Sequence, residues 1–186
     1  MSLFPDIVGE SFGVEPYYRV DETPIAESEF ALYRQFIRPR WIFELGWSTL
    51  SEADALLIAN HVLAQAAAGI AFEWFTWFAT QHWIWIPIGT GDGVTTVFTI
   101  PAKETSDQQF FTGSGTSAAG TVTVGTGTNG EDKITFTVAP ASGALIWCNL
   151  RGRRRFNVRY EQDEQPPQRD ADSGTWVFKT RLVQTK

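Results

Sequence analysis

Two glutamates inside aromatic segments are the first candidates for chemistry. Glu44 lies in the run at residues 41–47 and Glu73 in the run at residues 70–78. If these two strands are neighbours, their carboxylates would lie side by side, as the two carboxylates of a glycosidase do, with tryptophans nearby to stack on sugar rings. The alternative is that each glutamate pairs with an arginine or faces solvent. Because no feature of the sequence marks either one as a proton donor, the second interpretation is favoured and no enzyme is predicted.

A glycine-rich stretch offers a second candidate, a phosphate-binding loop. Gly125, Gly127 and Gly130 match the pattern G-x-G-x-x-G. That motif requires a helix immediately after it, because the helix N-terminus holds the phosphate. Here Glu131, Asp132 and a β-type run follow, and the two acids would repel a phosphate. The sequence therefore predicts a turn between two strands.

Metal ligands form a third candidate. The two histidines, His61 and His82, are too far apart in the sequence to form a local zinc pair. The acidic residues between 161 and 172 lack the spacing of a calcium loop, which favours a solvated loop. Those acidic residues are Glu161, Asp163, Glu164, Asp170 and Asp172. No metal and no cofactor are predicted.

Composition narrows the possible classes of protein. The 186 residues suffice for one domain, with or without a small insertion. They are 43% hydrophobic and 14% aromatic, with eight Trp, but only 19% charged. The lone Cys148 excludes a disulfide framework, and the net charge of −6 argues against a general nucleic-acid binder. So many aromatic residues on a weakly charged chain indicate either a thick core or a surface that other subunits cover.

A run of five arginines between residues 151 and 159 is a candidate contact surface. It has the composition of a phosphate-backbone site, or of a surface that pairs with acidic residues on a neighbouring copy. The second interpretation is favoured because the first thirty residues are acidic and arginine makes planar, bidentate contacts with carboxylates. The predicted subunit-interface residues are Arg151, Arg153, Arg154, Arg155, Arg159, Trp74, Trp77, Trp83 and Trp85. The alternative, sugar contact, is assigned to Trp83, Trp147, Glu44 and Glu73.

These candidates need elements to position them, and the clearest is a helix at residues 51–68. Ser51 followed by Asp54 resembles a capping box. A strand at residues 40–50 precedes the helix, with Trp41, Phe43, Leu45 and Trp47 on one face, and the aromatic run at residues 70–78 follows it. The stripe expected to pack on a sheet is Leu56, Ala59, Asn60, Leu63 and Ala67.

A change of composition at Gly89 marks a second region. From there to residue 150 the chain is rich in glycine, threonine and serine, and several short strands are predicted. We therefore predict a small β-meander at residues 89–150, inserted into a core built from residues 1–88 and 151–186. The most apolar stretch, residues 70–88, contains polar residues and a proline, so it predicts strands and no membrane contact.

Four segments occur in an order that resembles a known family. They are GDGVTTVFTI at 91–100, GTVTV at 120–124, KITFTVAPASGALI at 133–146 and FNVRYEQDE at 156–164. The N-terminal half is similar in outline, with FPDIVGESFG at 4–13 followed by the strand, helix and aromatic strand. This ordered set resembles the distal tail proteins of tailed phages, the tail-tip ring proteins of siphophages and gene transfer agents.

The resemblance implies a fold and a role. The fold would be mainly β (α+β), a tail-tube-like β-sandwich or barrel with one packed helix and an inserted peripheral β domain. The role would be that of a structural virion protein of the phage tail tip, forming a ring, usually a hexamer, that joins the tail tube to the baseplate or tip hub. Its partners would be its own copies, the tail tube protein, the hub proteins and DNA passing through the lumen. It would reside in the virion tail after assembly in the bacterial host cytoplasm. The alternative function is a carbohydrate- or receptor-binding tail module.

Overall fold

The computed structural model of the chain describes residues 2–17, 20–26, 29–34, 40–65, 70–113, 115–161 and 166–185. Within these residues the protein is mainly β, with one helix and antiparallel sheets, which confirms the predicted class. The chain divides into two compact units. Unit 1 comprises Met1–Glu73 and Asn157–Lys186, and unit 2 comprises Trp74–Phe156.

The elements follow one another in this order. They are β1 (Ser11–Tyr17), β2 (Val20–Ala26), β3 (Glu29–Arg34), β4 (Arg40–Leu50), α1 (Glu52–Gln65), β5 (Phe72–Phe75), β6 (His82–Thr90), β7 (Val97–Thr99), β8 (Ala102–Thr112), β9 (Thr116–Ser117), β10 (Gly120–Thr123), β11 (Lys133–Phe136), β12 (Leu145–Tyr160), β13 (Gln168–Arg169) and β14 (Trp176–Gln184).

Unit 1 is built on an antiparallel sheet in which β4 lies between β1 and β14. Phe43, Leu45 and Trp47 of the predicted face of β4 are buried, whereas Trp41 is only half-buried and Ile42 on the opposite face is buried as well. Trp47 stacks on Phe178 of β14 with ring centroids 5.4 Å apart. The large aromatic rings at alternate positions therefore lie together on one buried face of this sheet.

The helix of unit 1 begins where the sequence predicted. Ser51 Oγ accepts a hydrogen bond from the backbone N–H of Asp54 at 3.1 Å and donates one to its carboxylate at 2.7 Å. This exchange satisfies an N–H group that the first turn of a helix cannot pair internally. The helix extends to Gln65, and the predicted end at residues 66–68 lies outside the described residues.

The face that this helix buries differs from the prediction. Ala55, Ile58 and Val62 are buried, whereas Leu56 and Leu63 of the predicted stripe are exposed. The prediction was wrong because both sides of α1 are apolar, and a 3.6-residue period cannot select between two apolar stripes.

Unit 2 combines two antiparallel arrangements. The first part of β12 pairs with β6 along one edge and with β8 along the other. A separate three-stranded sheet has the order β10-β11-β7. One apolar cluster joins buried residues of these elements, among them Ile86, Phe110, Ile134 and Ile146. The continuous unit starts at Trp74, earlier than the insertion predicted at Gly89, because β6 pairs along β12 inside it.

The motif segments of the sequence build the small sheet of unit 2. Asp92 in GDGVTTVFTI accepts hydrogen bonds from the backbone N–H groups of Val94 and Thr95, at 2.9 and 2.6 Å. These bonds, with the hydroxyl of Thr95 contributing most, lower the pKa of Asp92 to about 2. Gly93 follows with a φ of 83°, a conformation that favours glycine. The strands β7, β10 and β11 come from the segments at 91–100, 120–124 and 133–146. These motifs therefore specify the fold of the small sheet.

Candidate functional site

The arginine run lies on β12 and is paired largely within unit 2. Arg151 Nε lies 3.3 Å from Asp107 Oδ2, and Arg153 Nη1 lies 3.2 Å from Glu104 Oε1. Arg155 forms an ion pair with Glu131. We call these three ion pairs the arginine ladder. Alternate arginines of one strand thus meet acidic residues of the same unit.

The other members of the run have different surroundings. The guanidinium of Arg154 lies over the rings of Trp83 and Phe156, at 5.4 and 4.6 Å from their centroids. Such contacts between a cation and a ring hold the side chain against its own unit. Arg159 is exposed and lies on the part of β12 that belongs to unit 1.

The glycine-rich stretch after β10 folds around the chain's own carboxylates. The N–H of Gly125 donates to Asp132 at 2.8 Å, and the N–H of Asn129 donates to Glu131 at 2.8 Å. A Cβ at Gly127 would lie 2.6 Å from Glu131 Oε2, which requires glycine there. Because β11 follows in place of a helix, the predicted turn is confirmed. The backbone N–H groups that would hold a phosphate bind two buried acids instead.

The glutamates considered for catalysis do not lie on neighbouring strands. Glu44 lies on β4, whose partners are β1 and β14, and its carboxylate lies 3.0 Å from Arg181 Nε. Glu73 lies on β5, where its backbone N–H donates to Ser2 at 2.8 Å. The condition for a carboxylate pair, adjacency of the two strands, is not met.

His61, considered as a metal ligand, belongs to the interior of unit 1. Its Nδ1 lies 3.0 Å from the hydroxyl of Tyr160, and its ring meets Phe4 and Phe72 edge-on. Burial lowers the pKa of His61 to about 4, so the imidazole is neutral at physiological pH. Across the described residues no group of His, Cys, Asp and Glu has a metal-binding arrangement, while Asp163 and Glu164 lie outside them.

The predicted tryptophans separate into buried and accessible sets. Trp74 and Trp77 are 2% and 5% exposed and meet edge-to-face inside unit 2, so they have almost no surface for a partner. Trp83 is half-buried, and its indole N–H donates to the carbonyl of Gly152 at 3.0 Å. Trp85, by contrast, is 52% exposed.

Trp85 belongs to an accessible group of aromatic rings on the β6–β12–β8 arrangement. Its ring centroid lies 5.8 Å from that of Phe111 on β8 and 6.4 Å from that of Trp147 on β12. Trp147 and Phe111 are register partners across the two strands. We call Trp85, Trp147 and Phe111 the aromatic face. The sequence pointed to the two tryptophans but not to Phe111, because the pairing of β8 with β12 is a long-range contact.

The backbone beside the aromatic face is strained. Among the described residues, three non-glycine residues have a positive φ: Trp85 at 54°, Glu104 at 54° and Asp107 at 51°. Each of them contacts the short stretch of β12 at residues 149–153, through Asn149, Arg153 and Arg151 respectively. Register shifts interrupt the pairing of β12 within this stretch, with β6 between Cys148 and Leu150 and with β8 between Asn149 and Arg153. Such strain persists only where surrounding contacts hold it, and it is typical of functional sites.

A second accessible apolar surface lies on α1 in unit 1. Leu56, Leu57 and Leu63 are 61%, 54% and 66% exposed. Together with the small or polar residues between them they form what we call the outer stripe. Its members are Ala53, Leu56, Leu57, Asn60, Leu63 and Ala64, all exposed and all uncharged. The outer stripe follows the i, i+3, i+4, i+7 spacing of one helix face.

Comparison with known proteins does not show a family for this chain. No protein-family model matches it, and no curated protein is similar to it at a significant level. Within the part of the chain that the structure describes, no helix is long and apolar enough to cross a membrane.

Proposed function

We propose that this chain is a structural subunit of a phage tail tip that assembles into a ring with copies of itself. The observation that carries the proposal is the outer stripe of α1. Three exposed leucines on one uncharged helix face form an apolar surface of the kind that monomeric proteins seldom leave open. A neighbouring subunit that covers this surface would recover the free energy of apolar burial.

The resemblance to distal tail proteins gives the assembly its form. In this proposal unit 1 is the ring-forming core, related to the tail-tube fold, and unit 2 is the peripheral inserted domain. The order of strand, helix and strand in unit 1, and the small sheet built from the motif segments in unit 2, support the assignment. The partners above and below the ring would be the tail tube protein and the tail-tip hub.

Charge supports the passage of DNA through such a ring. The chain carries a net charge of −6, and a ring of copies multiplies it. A like-charged lumen repels the DNA phosphates, so DNA passes without adhering. Arg159 is the member of the arginine run that offers this assembly a positive group on unit 1. We propose that Arg159 meets the acidic N-terminal segment of a neighbouring copy. One acidic residue of that segment, Glu27, lies outside the described residues.

Electron microscopy of the purified full chain tests the proposal. We expect negatively stained particles to be closed rings with a central channel, and class averages to give their symmetry. A population of single compact particles at all concentrations would overturn the proposal. So would open fibres, because a head-to-tail contact that does not close produces filaments.

A further inference from the structure

We propose that the aromatic face of unit 2 is a binding site for a neutral saccharide chain. The site comprises Trp85, Trp147 and Phe111, with Asn149 and Gln109 beside them. The proposal concerns a different unit from the outer stripe and does not depend on ring formation.

The rings provide the apolar part of the site. The centroid of Trp85 lies 5.8 Å from that of Phe111 and 6.4 Å from that of Trp147, so the rings contact one another and form one continuous apolar surface. Trp85 and Trp147 are nearly perpendicular, at 79°, and Trp85 is tilted by 34° from Phe111. The site thus offers ring surfaces in two orientations. The C–H faces of a pyranose are apolar and pack on such surfaces, while its hydroxyls point to the rim.

Two amide side chains provide the polar part. Asn149 and Gln109 are register partners across β12 and β8, one step along from Trp147 and Phe111. Along β12, Trp147 and Asn149 share the partly accessible face, whereas Ile146, Cys148 and Leu150 are buried on the other. An amide both donates and accepts hydrogen bonds, as a sugar hydroxyl does. Aromatic rings bordered by a few such groups have the composition of a small-molecule site.

Charge selects a neutral occupant. The charged residues next along this face are Arg151 and Asp107, whose side chains pair with each other at 3.3 Å. His82, an exposed residue of β6, is the register partner of Arg151. A polyanion such as single-stranded DNA also stacks on aromatic rings, but it requires cations that are not already paired, and the chain as a whole is negative. A polycation would compete with Arg151 for Asp107. A neutral polyhydroxyl chain matches this surface without breaking the ion pair.

Trp85 is held at the site in a strained backbone conformation. Its φ of 54° is unfavourable for a tryptophan, and the backbone N–H is held by Asn149 Oδ1 at 2.9 Å. A residue that is both strained and half-exposed contributes little to folding, so its position is better explained by a ligand. Asn149 is therefore a positioning residue for Trp85 as well as a polar contact.

A glycan array followed by titration calorimetry tests the proposal on the full chain. The soluble probes are maltohexaose, laminarihexaose and cellohexaose, with oligogalacturonate as the anionic comparator. We expect saturable binding of at least one neutral hexasaccharide. Trp85→Ala and Trp147→Ala should each weaken it about tenfold or more, because each removes a stacking surface. Val94→Ala, which changes an exposed apolar residue of the same unit in the GDGV turn, should leave the affinity unchanged.

Any of four results would overturn the proposal. One is the absence of neutral-glycan binding across the array while the protein is folded by circular dichroism. Another is binding of oligogalacturonate alone. The third is neutral-glycan binding that survives both tryptophan substitutions. The fourth is a change of oligomeric state on substitution at the aromatic face, which would make that face a protein interface. Failure of the ring proposal would show separately, as a monomeric protein that still binds the saccharide.

Discussion

The arginine ladder of unit 2 finds its ion-pair partners within the chain, whereas the outer stripe of α1 in unit 1 exposes apolar side chains to solvent. Each arginine of the ladder meets a carboxylate of its own unit, and Glu131 is only 2% exposed. The leucines of the outer stripe are more than half exposed. Loss of one partner of a buried charge pair destabilises the single chain, whereas exposed apolar surface contributes to stability only when a second molecule covers it.

In this molecule a contact surface should be sought where exposed side chains have an apolar composition, and not where charges are clustered. A cluster of arginines is conspicuous in a sequence, yet pairing within the chain has already neutralised much of this one. The uncharged outer stripe is inconspicuous in the sequence, because leucines on a helix are usually predicted to lie in the core. Substitutions in the ladder should therefore change the stability of the chain, and substitutions in the outer stripe should change its association.

The largest effect on stability is expected for Glu131→Ala. This substitution removes the carboxylate that pairs with Arg155 and accepts from the backbone N–H of Asn129. Breaking a buried ion pair at one partner costs about 3–5 kcal/mol of unfolding free energy. Urea denaturation measures it, and Glu131→Gln, which keeps an acceptor and the side-chain shape, should cost less. A loss below about 1 kcal/mol for the alanine variant would show that the ladder is not a stabilising feature.

The next largest effect on the unfolding free energy should distinguish the two faces of α1. Ile58→Ala should lower the unfolding free energy by about 2–4 kcal/mol, because Ile58 is fully buried and its truncation leaves a cavity. Leu63→Ala is the matched control, since it truncates an exposed residue of α1 and should change the stability of the single chain by at most about 0.5 kcal/mol. Denaturation at a concentration below association separates the two. Equal losses would mean that the outer stripe is packed within the chain.

A smaller effect should appear on acidification. The pKa of His61 is about 4 in the folded chain, below its ordinary value of 6.5, because burial disfavours the imidazolium. Between pH 6.5 and 4 the unfolded chain therefore binds a proton that the folded chain does not, and stability falls as the pH falls through this window. We expect a loss of about 1–2 kcal/mol, less than the full pKa shift implies, because the half-buried ring keeps part of its hydration.

The matched variant for this effect is His61→Leu. It removes the titrating group from the buried side of α1, so its stability should vary less between pH 6.5 and 4 than that of the parent chain. Thermal melts at several pH values check the difference. Identical pH profiles for the two proteins would contradict the assignment to His61.

Local signals made part of this fold predictable. The alternation of aromatic residues on β4 and the Ser51–Asp54 cap each depend on residues close in sequence, and both were predicted. The glycine-rich turn was predictable because a strand-type run, rather than a helix, follows Glu131 and Asp132. Such local signals predict the type of each element and the start of the helix, but they do not predict which surfaces pack together.

The candidate sites depend on pairing between distant residues, which local patterns do not specify. Arg151 meets Asp107, and Trp147 lies beside Phe111, only because β12 pairs with β8 in one register. The positive φ of Trp85 carries no sequence signal, since such a position usually selects glycine or asparagine. The choice between the two apolar stripes of α1 is likewise made by the sheet that the helix packs on.

Sedimentation of the full chain, compared with its Leu57→Glu/Leu63→Glu variant, shows whether the outer stripe of α1 joins the subunits. We expect the parent chain to sediment as a discrete oligomer of its 20.8 kDa subunit. The variant should sediment as a monomer with an unchanged circular dichroism spectrum, because two charges in the outer stripe prevent a neighbour from covering it. A parent chain that remains monomeric at every concentration, or a variant that assembles as the parent does, would contradict the claim that the outer stripe of α1 joins the subunits.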